Sequence, residues 1–303
     1  MEYILNNVIG SFILDDKLNI IQSHPFENLK GYEANQKIKS DNQKIPKEKL
    51  LTALTLLKDP KNFSKFYEIN LQLTKQSLKE SVNEDNFIIQ TIGNIYELDR
   101  VINLLSKRSR EWYSLYLPEL SEKTPHHQRF IELVASKNKE QLMEELRISS
   151  SMGADLKELH IEEIKLLAKN ILNLYELREK HEEYLKKVMQ EYCPNVLELA
   201  GATIGAKLLE YARTLRHMAL LPASTIQLLG AEKALFRHLK TGCKSPKHGI
   251  IIQHPLIQKA KRKDRGKVAR SLADKISLCA RLDYFKGEFK GAEYKKALEE
   301  KFK

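Results

Sequence analysis

Lysine and arginine side chains suited to phosphate binding recur at helical spacing within residues 226–257, which read IQLLGAEKALFRHLKTGCKSPKHGIIIQHPLI. Lys233, Arg237 and Lys240 stand at positions i, i+4 and i+7, so a helix would carry all three along one side, beside His238. Such side chains neutralise phosphates and release the counterions condensed on them. The stripe therefore predicts contact with a nucleic-acid backbone, although spacing alone leaves a solvated basic helix as an alternative.

A cationic loop follows the stripe and contributes Lys244, Lys247 and His248. Its small residues would let the main chain come close to a phosphate backbone. An apolar run at residues 250–252 comes next and is predicted to be strand-like. We expect the loop to approach the same ligand as the stripe.

A denser basic run lies beyond this loop, with six Lys or Arg residues among residues 259–267. Alone, such a run is typical of a solvated face or a targeting signal. Next to the stripe it predicts a second wall of one nucleic-acid-binding surface, with Lys259, Arg262 and Lys263 in contact.

A short helix must position the stripe, and two glycines mark its ends. Gly230 precedes the helix. Gly242 follows it, and a glycine just beyond the C-terminus is typical of a helix end. Ala231, Leu235 and Leu239 recur at intervals of four, and this spacing predicts a buried face. The helix is thus expected to have one packed side and one cationic side.

The net charge of the chain is concentrated at its carboxyl end. Residues 230–303 carry 20 Lys or Arg against 8 Asp or Glu, whereas the whole chain carries 51 against 40. The preceding 229 residues are therefore almost neutral. Positive charge gathered in one module is typical of nucleic-acid binding, and no amphipathic helix pairs its lysines with exposed Trp, Phe and Leu as a membrane surface would require.

Several longer segments resemble the Nop family of ribonucleoprotein components. The segment GAEKALFRHLKTG, followed by SPKHGIIIQHPLI, resembles the signature of the Nop domain. Residues 193–212 (CPNVLELAGATIGAKLLEYA) resemble the segment with which the domain begins. Residues 267–283 (KVARSLADKISLCARLD) resemble its closing helix. The family's SMG element matches residues 151–153. About half of the chain carries these motifs.

The resemblance implies a scaffold, of the archaeal Nop-five type, in the box C/D guide ribonucleoproteins that direct 2′-O-methylation of rRNA or tRNA. The implied partners are fibrillarin, the box C/D guide RNA, a ribosomal-type kink-turn-binding protein and a second copy of the chain. S-adenosylmethionine is expected on fibrillarin, with no cofactor or metal on this chain. Cytoplasmic residence in an archaeal cell is implied. A spliceosomal-type Nop protein clamping a kink-turn RNA, or a helical dimerisation adaptor without RNA binding, are the alternatives.

The element patterns and the resemblance together predict a mostly α chain in three parts. Residues 1–118 are expected to form a small α/β fibrillarin-binding domain, in which Asp15-Asp16-Lys17 supplies the turn of a β-hairpin. Residues 119–192 are expected to form a coiled-coil dimerisation hairpin. Residues 193–303 are expected to form an all-helical Nop domain that binds RNA and the kink-turn protein.

The predicted hairpin consists of two long antiparallel helices. The first would run from about Pro125 to Ile148 and the second from about Asp155 to Glu191. Arg178 and His181 would be polar interruptions that fix the register of a dimer, although packing within one chain is the alternative. The residues at heptad spacing that we expect to pair with a second copy are Ile164, Leu167, Ile171, Leu174, Leu185 and Val188.

Motifs of intrinsic catalysis are missing from the sequence. The histidines lack HExxH or paired metal-ligand spacing, and residues 201–208 (GATIGAKL) fail as a phosphate loop because Ala206 and Leu208 replace required residues. The three cysteines are far apart and favour neither disulfides nor a zinc site. No apolar run reaches the length of a membrane span, and the first residues do not form a signal peptide, so we expect the chain to stay where it is made.

Overall fold

The computed structural model describes residues 3–26, 43–44, 46–55 and 60–302. The chain divides into two compact units, residues 1–83 and residues 84–303. Helices make up most of the second unit, and the described strands lie in the first. The predicted fold class is confirmed: a mostly α chain with a small amino-terminal sheet, a long helical hairpin and an all-helical carboxyl-terminal part.

The first unit contains a four-stranded sheet with the strand order β3-β2-β1-β4. Strands β1 to β3 are antiparallel, and β4 is parallel to β1. The predicted hairpin turn is confirmed, because the Asp15 carboxylate and carbonyl accept hydrogen bonds from the Asn19 and Leu18 amides. The strands are β1 (Tyr3–Asn6), β2 (Gly10–Leu14), β3 (Ile20–Pro25) and β4 (Gln43–Lys44).

Alternation along β1 and β2 places every second side chain on the same face of this sheet, as a period of two requires. Buried on it are Tyr3, Leu5, Phe12 and Leu14, together with Ala53 from helix α1 (Lys47–Thr55). Helix α2 (Pro60–Ser81) follows and exposes many of its apolar residues. The sheet thus has a covered face, whereas α2 carries apolar surface open to solvent.

The second unit begins with the two arms of the hairpin, α3 (Glu84–Tyr113) and α7 (Glu158–Tyr192). The two helices pack antiparallel along their length, with Arg178 of α7 ion-paired to Asp99 of α3. Arg178 therefore has an acidic partner on the other arm of the same hairpin, and its role in the register of a dimer stays a prediction. The predicted second helix is confirmed within three residues at its start.

The predicted first arm, from Pro125 to Ile148, is wrong. This segment forms short helices packed on the end of the hairpin, and α3 supplies the arm instead. The break follows from Asn138, whose side chain accepts from the backbone of Gln141 while the Gln141 side chain accepts from Asn138 N–H, a capping box that begins a new helix. Helix α4 (Pro118–Lys123) precedes the segment, and the short helices within it are α5 (His127–Ser136) and α6 (Lys139–Glu145).

The carboxyl-terminal part is built of helices around one core. This core also includes residues from the N-terminal end of α3 and the C-terminal end of α7. The predicted strand-like run at residues 250–252 is wrong, since Ile250–Gln253 forms a 3-10 helix. The other elements are α8 (Pro194–Ala200), α9 (Ala202–Ala212), α10 (Leu215–Leu220), α11 (Ala223–Leu228), α12 (Glu232–Thr241), α13 (Pro255–Lys259), α14 (Arg265–Tyr284) and α15 (Gly291–Lys301).

Helix α14 is the centre of this part and packs against α8, α10, α11 and α13. Its predicted buried face is confirmed, because Val268, Leu272, Ile276 and Cys279 are all buried. Gly205 in α9 lets helices approach closely, since a Cβ there would lie 2.9 Å from the Met189 side chain. Within the described residues, no helix is both long and apolar enough to cross a membrane.

Candidate nucleic-acid interface

Helix α12 carries the cationic stripe and stands out from the core. The expectation of a buried face is wrong: none of its residues is buried, and Leu239 and Phe236 are 68% and 60% exposed. Its predicted end is confirmed, because Gly242 adopts a left-handed conformation (φ 68°) and donates its N–H to the His238 carbonyl over 2.9 Å. The helix thus presents apolar and cationic side chains together to solvent.

The cations of α12 are open to solvent. Lys233, Arg237 and Lys240 are all exposed. His238 is half-buried, and its Nδ1 donates to the Cys243 carbonyl, which can only accept. His238 therefore holds the loop after the helix, and its remaining ring nitrogen is the part left for a ligand.

The loop after α12 is tied to the core by Gln227. The Gln227 side-chain amide donates to the Lys247 carbonyl over 2.6 Å, and the Gln227 carbonyl accepts from Gly249 N–H over 2.8 Å. Gly249 packs so closely that a Cβ there would lie 1.9 Å from the Leu229 carbonyl oxygen. These contacts fix the main chain beside Lys244, Lys247 and His248, of which both lysines are exposed and His248 is half-buried.

The second basic run meets this loop at one point. The methylenes of Lys247 lie against Gly266 near the start of α14, where a Cβ would come within 3.4 Å of Lys247 Cδ. Arg265 is held by the Ala260 and Gln258 carbonyls, which order the turn before the helix. The predicted contacts Lys259, Arg262 and Lys263 are exposed in and before that turn. The structure thus joins the loop to the second run through Lys247.

The predicted RNA-contacting cations differ from other surface cations because they lack acidic partners among the described residues. In the part of the chain that the structure describes, none of the ten predicted RNA-contacting residues forms a salt bridge. Arg108, Lys137, Lys180 and Lys207, by contrast, all pair with glutamates. The unpaired charges leave a positive field that points to solvent.

Sequence reasoning missed two residues of this surface. Gln227 and Gly266 are uncharged, and their contribution arises only when distant parts of the chain meet. No local pattern marks either one, whereas the charged residues are visible from their type and spacing.

Nowhere in the described residues do three His, Cys, Asp or Glu side chains converge as a metal site would require.

The residues predicted for dimerisation lie along the hairpin. Ile164, Ile171 and Leu185 are buried within the chain, and Leu167, Leu174 and Val188 are half-buried. A different row of apolar side chains on α7 is exposed, at spacings of 7, 11 and 7 residues that return to one helix face. This row, here the α7 stripe, consists of Leu159, Leu166, Leu177 and Tyr184.

Comparison with known proteins identifies relatives. The family described as "Nop: snoRNA binding domain, fibrillarin" matches residues 94–303. An uncharacterised NOP5 family protein of Methanocaldococcus jannaschii is 41% identical over 73% of this chain and 57% of its own length. Nucleolar protein 56 is 38% identical in Caenorhabditis elegans (66% of this chain, 46% of that protein) and 35% in Homo sapiens (70% and 39%). The chain spans about half the length of the curated relatives it matches.

A solved structure titled as a fibrillarin/Nop5p complex also resembles the chain. It is 24% identical, covers the full length of both chains and has a TM-score of 0.46.

Proposed function

Because this chain belongs to the Nop family, we propose that it is the scaffold of a box C/D ribonucleoprotein, joining fibrillarin to guide RNA for 2′-O-methylation of rRNA or tRNA. One observation carries the proposal: the matched region exposes the cations of α12 and its loop without acidic partners. Free cations on an ordered frame suit a phosphate backbone, because no internal salt bridge must break on binding. The reaction itself belongs to fibrillarin, which would bind S-adenosylmethionine.

The mixed surface of α12 suits an RNA that already carries a protein. Lys233, Arg237 and Lys240 would hold phosphates, and the nearby Phe236 and Leu239 would pack against the kink-turn-binding protein. Large apolar side chains that are exposed next to one another often mark protein interaction sites. Binding to the RNA and protein together should therefore be stronger than binding to naked RNA.

The amino-terminal unit offers a surface for fibrillarin. Helix α2 exposes Phe63, Tyr67, Leu71 and Leu78 at intervals of four, four and seven, so that all four lie on one face. An apolar helix face of this kind is buried on binding a protein partner. We assign this face to fibrillarin, the hairpin of α3 and α7 to dimerisation, and the part that begins at about residue 193 to RNA binding.

A second copy is the proposed partner of the hairpin. The α7 stripe repeats over more than 25 residues of one helix, and pairing with an identical stripe would remove it from water. The half-buried Leu167, Leu174 and Val188 would lie at the edges of such an interface. Residence in the cytoplasm of an archaeal cell completes the proposal.

The test is reconstitution of methyl transfer from S-adenosylmethionine with fibrillarin, guide RNA, kink-turn protein and this chain. Omitting the chain should abolish site-directed transfer, and adding it back should restore it. The Phe63→Ser/Tyr67→Ser variant should lose fibrillarin capture while still binding the RNA complex, whereas the control Glu68→Ser/Lys75→Ser on the same helix should keep both. Full methylation without the chain would overturn the scaffold function.

A further inference from the structure

A groove of about 600 Å3 lies between α11, α14 and α15, outside the ten residues predicted to bind RNA. This groove, here the α14 groove, is lined on α14 by Arg270, Ser271, Asp274 and Lys275, and on α15 by Lys301. Its charged lining is three cations against one carboxylate. Ser224 and Gln227 of α11 complete its polar wall.

Two of its cations are available to a ligand. Arg270 and Lys301 are exposed, and Lys301 Nζ lies 3.5 Å from the Ser271 hydroxyl, which holds it over the groove. Lys275 is instead occupied, 3.7 Å from Asp274 and 5.0 Å from the Tyr294 ring centre. Arg270 and Lys301 are thus the residues that would meet an anion, while Asp274 is paired with Lys275.

The α14 groove is continuous with the candidate nucleic-acid interface. Gln227 lines the groove and also donates to the Lys247 carbonyl of the cationic loop. Lys247 in turn packs on Gly266, which stands one helical turn, about 6 Å, before Arg270 on the same side of α14. A line of positive charge therefore runs from the loop through Lys247 to Arg270 and Lys301.

We propose that the α14 groove binds the sugar–phosphate backbone of the RNA beyond the segment held by α12, with Arg270 and Lys301 contacting phosphates. This inference rests on the proposed function and extends its RNA site. A chain of phosphates fits because the cations are spread from the loop (Lys247) over α14 (Arg270) to α15 (Lys301). Contacts of this kind position RNA without reading its sequence.

The test compares Arg270→Gln/Lys301→Gln with Arg216→Gln/Lys296→Gln in the full chain, which removes one arginine and one lysine that are exposed but lie outside the groove. The probe is a box C/D kink-turn RNA loaded with its kink-turn protein, titrated over a salt series. The groove variant should bind more weakly, and the slope of log affinity against log salt should become shallower by about 0.9 for each lost contact. The control should match the unsubstituted chain.

A third variant separates the failure of this inference from the failure of the proposed function. If Arg237→Gln/Lys240→Gln weakens binding and the groove variant does not, the groove is not an RNA site although the scaffold function stands. If neither variant weakens binding, both fail. Inorganic phosphate titrated alone should give no Arg270-dependent heat, and a clear response would make the groove a small-anion site. Loss of fibrillarin capture with RNA binding intact would assign it to a protein instead.

Discussion

Asp283 and Asn195 form a buried pair that joins the closing helix α14 to the start of α8. Asp283 Oδ1 accepts from the Asn195 backbone amide over 3.0 Å and from its side-chain amide over 2.8 Å, and Oδ2 accepts from Val196 N–H over 2.9 Å. Asn195 Oδ1 in turn accepts from the amides of Lys290 and Gly291. Asn195 therefore connects α8 both to α14, through Asp283, and to the start of α15, through Gly291.

Replacing Asp283 by alanine should destabilise this part of the chain. Three buried donors would lose their acceptor, and the free energy of unfolding should fall by roughly 3 kcal/mol in denaturant titrations. Asp274→Ala, at an exposed position of the same helix, should change it by less than about 0.5 kcal/mol. Asp283→Asn keeps one acceptor oxygen and should fall between the two. Equal effects at both positions would mean that the pair contributes nothing.

His254 should make stability depend on pH. Its ring is buried, with Nε2 donating to the Leu199 carbonyl over 3.0 Å and Nδ1 accepting from Leu256 N–H over 3.3 Å. Burial lowers the pKa of His254, with the nearby Lys295 charge acting in the same direction, while the Leu199 carbonyl opposes the shift. The folded ring is therefore neutral at pH values where the unfolded ring binds a proton.

The free energy of unfolding should then decrease as pH falls below about 6.5, the ordinary pKa of histidine, towards the lowered value in the fold. Chemical denaturation at a series of pH values measures this. His254→Gln should flatten the profile over that window, because the group that takes up the proton on unfolding is gone. His217→Gln, on an exposed side chain, should leave the slope intact. An unchanged slope in His254→Gln would contradict the assignment.

Gly249→Ala should disturb both stability and RNA binding. The new Cβ would lie 1.9 Å from the Leu229 carbonyl oxygen, so the loop that carries Lys244 and Lys247 must move. We expect a loss of about 2 kcal/mol in unfolding free energy and weaker binding of the RNA complex. Gly93→Ala, where a Cβ would meet nothing within 4 Å inside helix α3, should instead be neutral or stabilise by about 0.5–1 kcal/mol. Similar losses at both glycines would contradict the steric argument.

Local sequence patterns predicted the features that depend on neighbouring residues. Gly242 ends α12 because a left-handed residue closes a helix, and Val268, Leu272 and Ile276 are buried because their spacing lines one face of α14. The exposure of the stripe cations followed from residue type alone. In each case the physical cause lies within a few residues of the pattern.

Features that depend on distant contacts were not predictable in the same way. Leu239 fits the spacing of a buried face, yet no described element covers α12, so the residue is exposed. Spacing likewise favoured one helix across Asn138, although a capping box there begins a new one, and that signal was present in Asn138-x-x-Gln141. The role of Gln227 had no signal, because its partners lie about 20 residues away.

Removing charge from the stripe should weaken RNA binding in a salt-dependent way. Arg237→Gln/Lys240→Gln deletes two exposed, unpaired cations of α12, and the slope of log affinity against log salt should become shallower by roughly one unit for each lost phosphate contact. Binding of the kink-turn RNA with its protein, measured over a salt series, checks this. The Arg216→Gln/Lys296→Gln variant supplies the control of equal charge. An unchanged affinity in the stripe variant would show that α12 does not contact RNA.

The α7 stripe should control oligomeric state without controlling folding. Leu166→Ser/Leu177→Ser changes side chains that are 52% and 41% exposed in the single chain, so thermal unfolding of the separated chain should change little. If the stripe pairs two copies, light scattering should report loss of the dimer, because each serine removes apolar surface that only a second copy would bury. Ile171→Ala is the matched contrast: this side chain is fully buried against the chain's own helices.

Ile171→Ala should therefore lower the unfolding free energy by about 2–5 kcal/mol, as truncation of a packed core residue does. It separates two uses of the same helix, one face for the hairpin's own core and another for a second copy. A dimer that survives Leu166→Ser/Leu177→Ser but is lost in a folded Ile171→Ala protein would reverse this assignment. It would place the contact on the heptad face of Ile164 and Leu185, which would then have to open before two copies could associate.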